Sequence, residues 1–344
     1  MRAALGSRAA APAAGRLGPV AVAPPEAPRR VRLGMPQLDV GGLSEGWLLR
    51  EAGDRHWEAI GRRLGVATDD IRSDAGKRLY PTVVAVRARY DRALAAAREN
   101  QVLELSTEVV PCGRACAHGR VAATLAAARA RFQLELLTTF AARNGDGSLR
   151  TTVPAPELAR RWGPVGVEPA IATLARAARR GELVTDPFCG PALELAGPAL
   201  AEMEYEPSPY ADYNGAGLLY FAAYVTIADS LERRMVRRLC LDDGVGGEGS
   251  AARDWALATS AVRRDVFYYE NLPLGGSLRA ALMSFARDAH GVTTRVRLSR
   301  VEAGNVSDAR RPMADVVTRR AFVGGRGDDE PATGDRQPAT GNRR

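Results

Sequence analysis

Cysteine is scarce in this sequence. The 344 residues include four cysteines, Cys112, Cys116, Cys189 and Cys240, which are too few for a disulfide framework and are typical of a reducing compartment. No apolar run approaches the roughly 20 residues that a membrane-spanning helix needs, and the first residues lack the apolar core of a secretory signal. We therefore predict a cytoplasmic protein that has no membrane partner.

Lysine is scarcer still, because Lys77 is the only one and arginine supplies the other 47 of the 48 basic residues. Residues 1–34 account for +5 of the formal net charge of +8, which leaves +3 (8 − 5) for the rest of the chain. A nucleic-acid-binding surface concentrates basic residues on one face or one element. Arginine replaces lysine almost throughout the chain, which is typical of a bias in codon composition and not of a clustered basic surface. We therefore expect no nucleic-acid partner.

Metal-ligand pairs are also lacking. Cys112, Cys116 and His118 lie close in the sequence, but a closed zinc site needs four ligands and no second Cys/His pair is nearby. We predict no metal and no bound cofactor. His118 remains a candidate proton donor, since an imidazole titrates near neutral pH. The alternative is a turn residue that precedes Gly119.

Two low-complexity segments flank the patterned part of the chain. Residues 1–34 are rich in Arg, Ala and Pro, and residues 325–344 contain Pro-Ala-Thr-Gly twice, so both are predicted to be disordered. The part between them divides into a first domain (35–152), a helical connector (153–195) and a second domain (196–324).

The two predicted domains repeat one order of elements. Ser44 is a suitable N-cap for a helix that runs to about Leu64, and a turn that starts at Asp212 opens a second helix to about Arg238. Aligning Asp39 with Asp212 also places Gly42 on Gly215. Strand-like runs follow each helix, at 79–87, 102–110, 121–130 and 131–142, and again at 261–269, 277–287, 292–303 and 313–323. An antiparallel sheet wrapped around one long helix is the hot-dog arrangement, so the sequence predicts an α+β double hot-dog fold.

The connector is predicted to contain two short helices, at 157–163 and 169–181. Two such helices could form a DNA-binding helix-turn-helix, or they could be a spacer packed on the domains. We favour the packed spacer.

Several long blocks of sequence resemble one family. They are MPQLDVGGLSEGWLLREAGDRHW (35–57), RLYPTVVAVR (78–87), CGRACAHG (112–119), YEPSPYADYNGAGLLYFAAYVTIADSLERR (205–234), RRDVFYYENLPLGGSL (263–278) and PMADVVTRRA (312–321). Together they resemble the double hot-dog acyltransferase/decarboxylases of polyketide biosynthesis. The resemblance implies that methylmalonyl-CoA is decarboxylated and that the propionyl group passes to an acyl carrier protein, with CoA and phosphopantetheine thioesters as substrates. It also implies that Tyr80 carries or orients the acyl group.

Such a decarboxylation forms an enolate, which preorganised N–H donors stabilise. Gly42, Leu43 and Ser44 lie at the first predicted helix N-terminus, where the helix dipole favours negative charge. Gly215 and Ala216 lie at the second. Glycine lets a thioester approach the backbone closely, and it is equally what a tight turn requires.

The predicted catalytic side chains are Tyr80, His118, Asp212 and Asn214. An ordinary phenol has a pKa of about 10 and is a poor nucleophile, so we favour Tyr80 as a hydrogen-bond donor, with Arg78 beside it and the first helix N-terminus nearby. Asp212 is predicted to orient water and Asn214 to hold the thioester carbonyl. The alternatives are a core tyrosine in a strand and an Asx turn at Asp212.

The leading hypothesis is therefore an acyltransferase/decarboxylase that acts with an acyl carrier protein. A hydrolytic thioesterase on the same scaffold is the first alternative, and a non-catalytic module that binds carrier proteins is the second. All three bind acyl-CoA or carrier-bound groups, and they differ in turnover and product. The pattern also leaves open a homodimer of the fused pseudo-dimer.

Overall fold

The computed structural model describes residues 27–91, 94–145, 148–182, 197–242, 259–301 and 312–322, with the backbone alone at 240–242. Residues 1–26 of the predicted extension, the predicted tail at 325–344 and Cys189 lie outside the described residues.

The described chain forms two similar halves with two short helices between them. The first half contains β1 (Arg29–Arg32), β2 (Leu38–Asp39), β3 (Gly42–Leu43), α1 (Glu45–Leu64), β4 (Leu79–Tyr90), β5 (Val102–Gly113), β6 (Cys116–Leu125), β7 (Ala130–Arg143) and β8 (Leu149–Thr151). The connector contains α2 (Pro156–Trp162) and α3 (Ala170–Arg179). The second half contains β9 (Ala201–Tyr205), α4 (Phe221–Asp242), β10 (Thr259–Tyr268), β11 (Ser277–Asp288), β12 (Gly291–Val301) and β13 (Pro312–Phe322).

The helix α1 forms where the sequence predicts it. The Ser44 hydroxyl accepts a hydrogen bond from the Trp47 amide at 3.4 Å, which satisfies one of the first-turn N–H groups that have no partner within the helix. Leu48, Ala52 and Ile60 are fully buried on one face, as the helical period requires. That face packs against the sheet.

One antiparallel sheet joins the two halves. Its strands follow the order β1-β5-β6-β7-β4-β10-β13-β12-β11-β9, and β8 pairs with β7. The order on one side of the central β4–β10 pair repeats on the other side, and in that pair Arg87 lies opposite Asp265. The sheet of each half wraps around its own long helix, because α1 contacts β5, β6 and β7 while α4 contacts β11, β12 and β13. The fold is an α+β double hot-dog, as predicted.

The two long helices lie side by side and antiparallel. Gly46 of α1 lies against Thr226 of α4, whereas Gly53 lies against Phe221 at the start of α4. A side chain at Gly53 would overlap the Phe221 ring, so glycine allows the helices to pack this closely. One hydrophobic core consequently runs through both halves.

The N-terminal boundary of the first domain differs from the prediction. β1 pairs with β5, Val31 packs against the core and Leu33 is buried. The prediction that residues 1–34 are disordered is therefore wrong for residues 29–33. The apolar side chains at 31 and 33 alternate with exposed arginines, and this period of two is the strand signal that the local arginine and proline content obscured.

The start of α4 also differs from the prediction. The helix begins at Phe221, well after Asp212, so aligning the two helix starts places Asp39 on Gly215 rather than on Asp212. The turn before α4 is longer than the one before α1, and an antiparallel bridge between Tyr213 and Leu219 closes it.

The two connector helices pack on the sheet separately. α2 buries Leu158 and Trp162 in a cluster with the end of α1, whereas α3 buries Ile171 against Ala85 and Phe267 on the opposite sheet face. This packing agrees with the predicted spacer. Within the described ranges, no helix is long and apolar enough to cross a membrane.

Gly119 of β6 faces the His56 imidazole of α1 so closely that a Cβ atom would overlap the ring. We expect Gly119→Ala to lower the free energy of unfolding by about 1–3 kcal/mol, because the ring or the strand must move. Urea unfolding measures this loss. Gly145→Ala is the matched control, since nothing lies within 4 Å of a Cβ there, and equal losses in both variants would contradict the contact.

Candidate active site

Arg264 of β10 is a fully buried guanidinium at the junction of the two halves. Its Nε and Nη2 donate to the two carboxylate oxygens of Glu45 at 2.7 and 2.6 Å. Its Nη1 and Nη2 donate to the Asp229 carboxylate at 3.0 and 2.9 Å, and Nη1 also donates to the Thr318 hydroxyl at 2.7 Å. All five N–H groups of the guanidinium therefore have acceptors, as a buried arginine requires.

Glu45 is the first residue of α1 and is buried. The Tyr90 hydroxyl donates to its carboxylate at 2.9 Å, because burial and the negative charge of Glu45 raise the pKa of Tyr90 well above its ordinary value. An acid at a helix N-terminus also interacts favourably with the helix dipole. Glu45 is thus held in place by one guanidinium, one phenol and the end of its own helix.

Asp229 lies in α4 and reaches the same junction from the second half. The loss of water around its carboxyl acts to raise its pKa, but the positive charges of Arg264 and Arg320 outweigh this effect, so its pKa is lowered. Arg320 donates to its Oδ1 at 2.6 Å. The side chain is 30% exposed. Asp229 is therefore a carboxylate at neutral pH with one edge open to solvent.

The N-terminus of α1 faces this carboxylate. Arg264 binds both Glu45, the first residue of α1, and Asp229, and so holds the Asp229 carboxylate near the first turn of this helix. Loss of hydration raises the pKa of Asp39, and the negative charges of Glu45 and Asp229 raise it further. The amides of Glu45 and Gly46 belong to that turn, where N–H groups have no partner within the helix and the dipole is positive. The junction thus combines hydrogen-bond donors for a carbonyl oxygen with an ionised carboxylate.

Glu232 lies one turn beyond Asp229 on α4 and is almost completely buried. Burial raises its pKa against the opposing charge of Arg320, and the nearby Asp229 raises it further. The Nε atom of Arg320 lies 3.5 Å from Glu232 Oε1. A second carboxyl group, which binds a proton more readily than an ordinary glutamate, therefore lies next to Asp229 on α4.

The corresponding junction at the N-terminus of α4 is filled by aromatic rings. The Phe221 ring occupies the space beside Gly53, and the Tyr268 hydroxyl donates to the Phe221 carbonyl oxygen at 2.9 Å. When the two helix starts are aligned, Gly53 of α1 corresponds to Asp229 of α4. At the second junction Gly53 therefore stands at the position of Asp229, and the Phe221 ring fills the space beside it.

Asp212, Asn214 and Gly215 lie in the turn before α4 rather than at its N-terminus. Asp212 is buried and its Oδ2 accepts a hydrogen bond from the Ser208 amide at 2.8 Å. The Asn214 Oδ1 accepts from the Ala216 amide at 3.0 Å. Both side chains and the Ala216 amide are therefore occupied in shaping the turn. The Asx-type bond, to the amide two residues on, is made by Asn214, whereas Asp212 accepts from the upstream Ser208 amide and the Tyr205 hydroxyl. The prediction that Gly215 and Ala216 form a helix N-terminus is wrong, because α4 starts after this turn.

Gly42, Leu43 and Ser44 do precede α1 as predicted. Gly42 adopts φ +118°, and the Leu94 carbonyl occupies the space that its Cβ would need. Leu43 is buried and Ser44 caps the helix. The tight-turn alternative therefore accounts for Gly42.

Tyr80 lies at the other end of the first half. It is half-buried at the start of β4, with the Arg78 guanidinium 4.9 Å from its ring centroid. The Trp57 indole donates to the neighbouring Pro81 carbonyl at 2.9 Å, so this end of β4 lies beside the second half of α1. Between Ser44 and Trp57 the helix rises by about 20 Å. The prediction that Tyr80 lies near the first helix N-terminus is wrong.

His118 lies on the sheet face that points away from α1. Its neighbours Ala117 and Gly119 face α1, and side chains alternate along a strand. His118 is buried, with Nε2 3.0 Å from Glu135 Oε2, and this bond lowers the pKa of Glu135. The four predicted catalytic side chains therefore do not converge. In the described part of the chain, no three metal-ligating side chains form a group that could hold an ion.

Sequence reasoning missed Glu45, Asp229 and Arg264 as a set. A local signal existed on α4, where Asp229 and Glu232 follow the buried Val225 at intervals of four and seven residues. Those intervals place both acids on the apolar face of the helix, and acids on such a face are buried only when they have partners. The partner arginine is remote in sequence and carries no comparable signal.

No protein-family model matches the sequence, and a search of curated proteins found no similar sequence. Solved structures match the fold instead. A provisionally assigned oleoyl thioesterase from Lactobacillus plantarum superposes with a TM-score of 0.57 at 14% identity, over 86% of this chain and 95% of that one. The 12:0-ACP thioesterase from Umbellularia californica superposes with a TM-score of 0.56 at 11% identity, over 86% and 97%. At such low identity, the likeness establishes the fold.

Replacing Arg264 would leave two carboxylates at the junction without their shared cation. We expect Arg264→Met to lower the free energy of unfolding by about 3–5 kcal/mol, measured by denaturant unfolding. Arg30→Met is the matched control, because the Arg30–Glu104 pair, 3.1 Å apart, is largely exposed and such pairs contribute about 1 kcal/mol or less. Similar losses in the two variants would show that the network does not join the halves.

His56, on α1, is completely buried and bonded to Thr138 Oγ1 at 2.9 Å. Burial, with a smaller effect of His118, lowers its pKa from 6.5 to about 3. Below pH 6.5 the His56 imidazole is protonated in the unfolded chain, whereas in the folded chain it stays neutral until the pH approaches 3. The stability that this difference contributes is therefore complete above pH 6.5 and declines as the pH falls toward 3.

The pH dependence of unfolding tests this depressed pKa. Between pH 7 and pH 5 we expect the wild type to lose about 2 kcal/mol through His56, and His56→Gln to lack this part of the loss. Urea titrations at a series of pH values measure the difference. His290→Gln, at an exposed position, should keep the wild-type slope. Parallel slopes for the wild type and His56→Gln would contradict the assignment.

Proposed function

We propose that this protein hydrolyses acyl thioesters of CoA or of an acyl carrier protein at the junction of α1 and α4. The observation that carries the proposal is the Asp229 carboxylate, held against the N-terminus of α1 by the buried Arg264 guanidinium. The likeness in fold to two structures named as thioesterases supports the substrate class.

The thioester carbonyl is placed at the first turn of α1. Its oxygen accepts hydrogen bonds from the Glu45 and Gly46 amides, and these donors strengthen as negative charge develops on the oxygen. Asp229 accepts a hydrogen bond from a water molecule and takes its proton as the hydroxide attacks the carbonyl carbon. The tetrahedral intermediate then expels the thiolate, which receives the proton, and the products are a free acid and a thiol.

Two groups position Asp229 without touching the substrate. Arg264 fixes the direction of the carboxylate by binding both of its oxygens, and Arg320 binds Oδ1 from the other side. Both cations lower the pKa of Asp229, which keeps it ionised but makes it a weak base. Orientation of the water is therefore its main contribution.

The second candidate is the acyltransferase/decarboxylase that the sequence resemblance implies. The observation that favours it is the Arg78–Tyr80 pair, a guanidinium 4.9 Å from the centroid of a phenol ring at the start of β4. A cation and a phenolic donor are together suited to bind the carboxylate of methylmalonyl-CoA. In this reaction CO₂ leaves, the enolate takes a proton at its α-carbon, and the carrier phosphopantetheine thiol displaces CoA from the propionyl group.

Asp229→Asn tests the hydrolytic proposal. We expect kcat for acyl-CoA hydrolysis to fall by about 10²–10⁴-fold, measured by release of free thiol over a series of saturated acyl-CoA chain lengths and on acylated carrier protein. Asp74→Asn, at an exposed position, is the matched control and should retain full activity. An unfolding curve for each variant separates loss of chemistry from loss of fold.

Product analysis separates the candidates. Incubation with methylmalonyl-CoA and a phosphopantetheinylated carrier, followed by intact-mass measurement, should show no propionyl-carrier if the protein is a thioesterase. Propionyl on the carrier that disappears in Tyr80→Phe but persists in Asp229→Asn would replace the hydrolytic proposal with the second candidate. Carrier binding without turnover of any thioester would indicate a non-catalytic module.

A further inference from the structure

The hairpin between β5 and β6 brings two cysteine thiols together. The chain reverses through Cys112-Gly-Arg-Ala-Cys116, and Gly113 pairs with Cys116 across the hairpin. Cys112 occupies the irregularity in the register that precedes this pair. As a result both side chains point to the same sheet face, and their Sγ atoms lie 2.6 Å apart.

The surroundings make the two thiols chemically unequal. Both are partly buried and pack against the hydrophobic cluster that contains Ile171 and Ala172 of α3, so neither thiol is fully shielded from a small reagent. The hydrogen bond from Cys116 lowers the pKa of the Cys112 thiol, whereas the same bond and burial raise that of Cys116. Cys112 is consequently the stronger candidate for the attacking thiolate.

The tip of this hairpin also holds the connector. The Trp162 indole donates to the Gly113 carbonyl at 3.2 Å, and the Gly166 amide donates to the Pro111 carbonyl at 3.1 Å. A covalent bond across the tip would therefore fix the segment on which the connector helices rest.

We propose that Cys112 and Cys116 form a reversible disulfide in exchange with a low-molecular-weight disulfide such as oxidised glutathione. The Cys112 thiolate attacks one sulfur of that disulfide and releases the first small thiol, which leaves a mixed disulfide on Cys112. Cys116 then loses its proton, attacks Cys112 Sγ and releases the second small thiol. Two protein thiols are oxidised and one small disulfide is reduced to two thiols, so electrons and protons balance.

The test uses the full-length Cys189→Ser/Cys240→Ser variant, which retains this thiol pair alone. The protein is equilibrated with glutathione buffers of increasing oxidised fraction, quenched, alkylated under denaturing conditions and weighed intact. We expect two alkylatable thiols in reducing buffer and none in oxidising buffer, with a mass lower by two hydrogen atoms and no attached glutathione. Reduction should restore both thiols.

Two further results decide the proposal. With Cys112→Ser added, the remaining Cys116 cannot close a ring, and we expect only slow acquisition of one glutathione. Wild-type-like loss of both thiols to two stable glutathione adducts, or two alkylatable thiols at every buffer ratio, would overturn the proposal. Because the readout is thiol count, the outcome does not depend on whether the protein hydrolyses thioesters.

Discussion

The guanidinium of Arg264 binds one carboxylate from each half of the chain, and the arrangement around it is complete only when the halves are joined. Glu45 arrives from the start of α1, Asp229 from α4 and Thr318 from β13. A buried cation that lost one of these acceptors would retain its desolvation cost without compensation. Among the described contacts, the first half alone would leave the Glu45 carboxylate with the Tyr90 hydroxyl and without its guanidinium. The ion network therefore makes the two hot-dog units interdependent, and it places a carboxylate at a helix N-terminus as a consequence.

The two copies have diverged at the positions that matter for chemistry. Aligning the starts of α1 and α4 relates Gly53 to Asp229, His56 to Glu232 and the acid Glu45 to the aromatic Phe221. One junction consequently gathers carboxylates and guanidinium groups, whereas the other gathers aromatic rings. The aromatic junction contributes packing area, and the Phe221 ring stands there where the first junction has the Glu45 carboxylate. The two junctions of the fused pseudo-dimer therefore differ in kind: one is an ion network and the other is a packed aromatic contact between the helices.

Local sequence signals sufficed for most of the elements. The cap at Ser44 and the apolar period of α1 are read over a few residues, and strand alternation located β4 to β7 and β10 to β13. The length of the turn before α4 was missed because glycines that look like a helix start belong to a bridged turn at Tyr213 and Leu219. Motif context alone placed Tyr80 near the start of α1. Its actual position follows from the path of the chain between α1 and β4. The connection at 65–78 folds back on itself through the Arg72–Arg78 bridge. The first residues of β4 therefore lie beside the second half of α1, where the Trp57 indole donates to the Pro81 carbonyl.

The electrostatics of the α1–α4 junction bear on which acyl group fits there. The pKa of Asp39, just before α1, is raised by partial loss of hydration and by the negative charges of Glu45 and Asp229. A malonyl-type substrate would bring a further carboxylate within a few ångströms of these groups, where like charges in a partly desolvated site interact strongly. An uncharged acyl chain meets no such repulsion, and its carbonyl still benefits from the helix N-terminus. A methylmalonyl carboxylate is therefore disfavoured at this junction, whereas the Arg78 guanidinium lies at the start of β4, away from it.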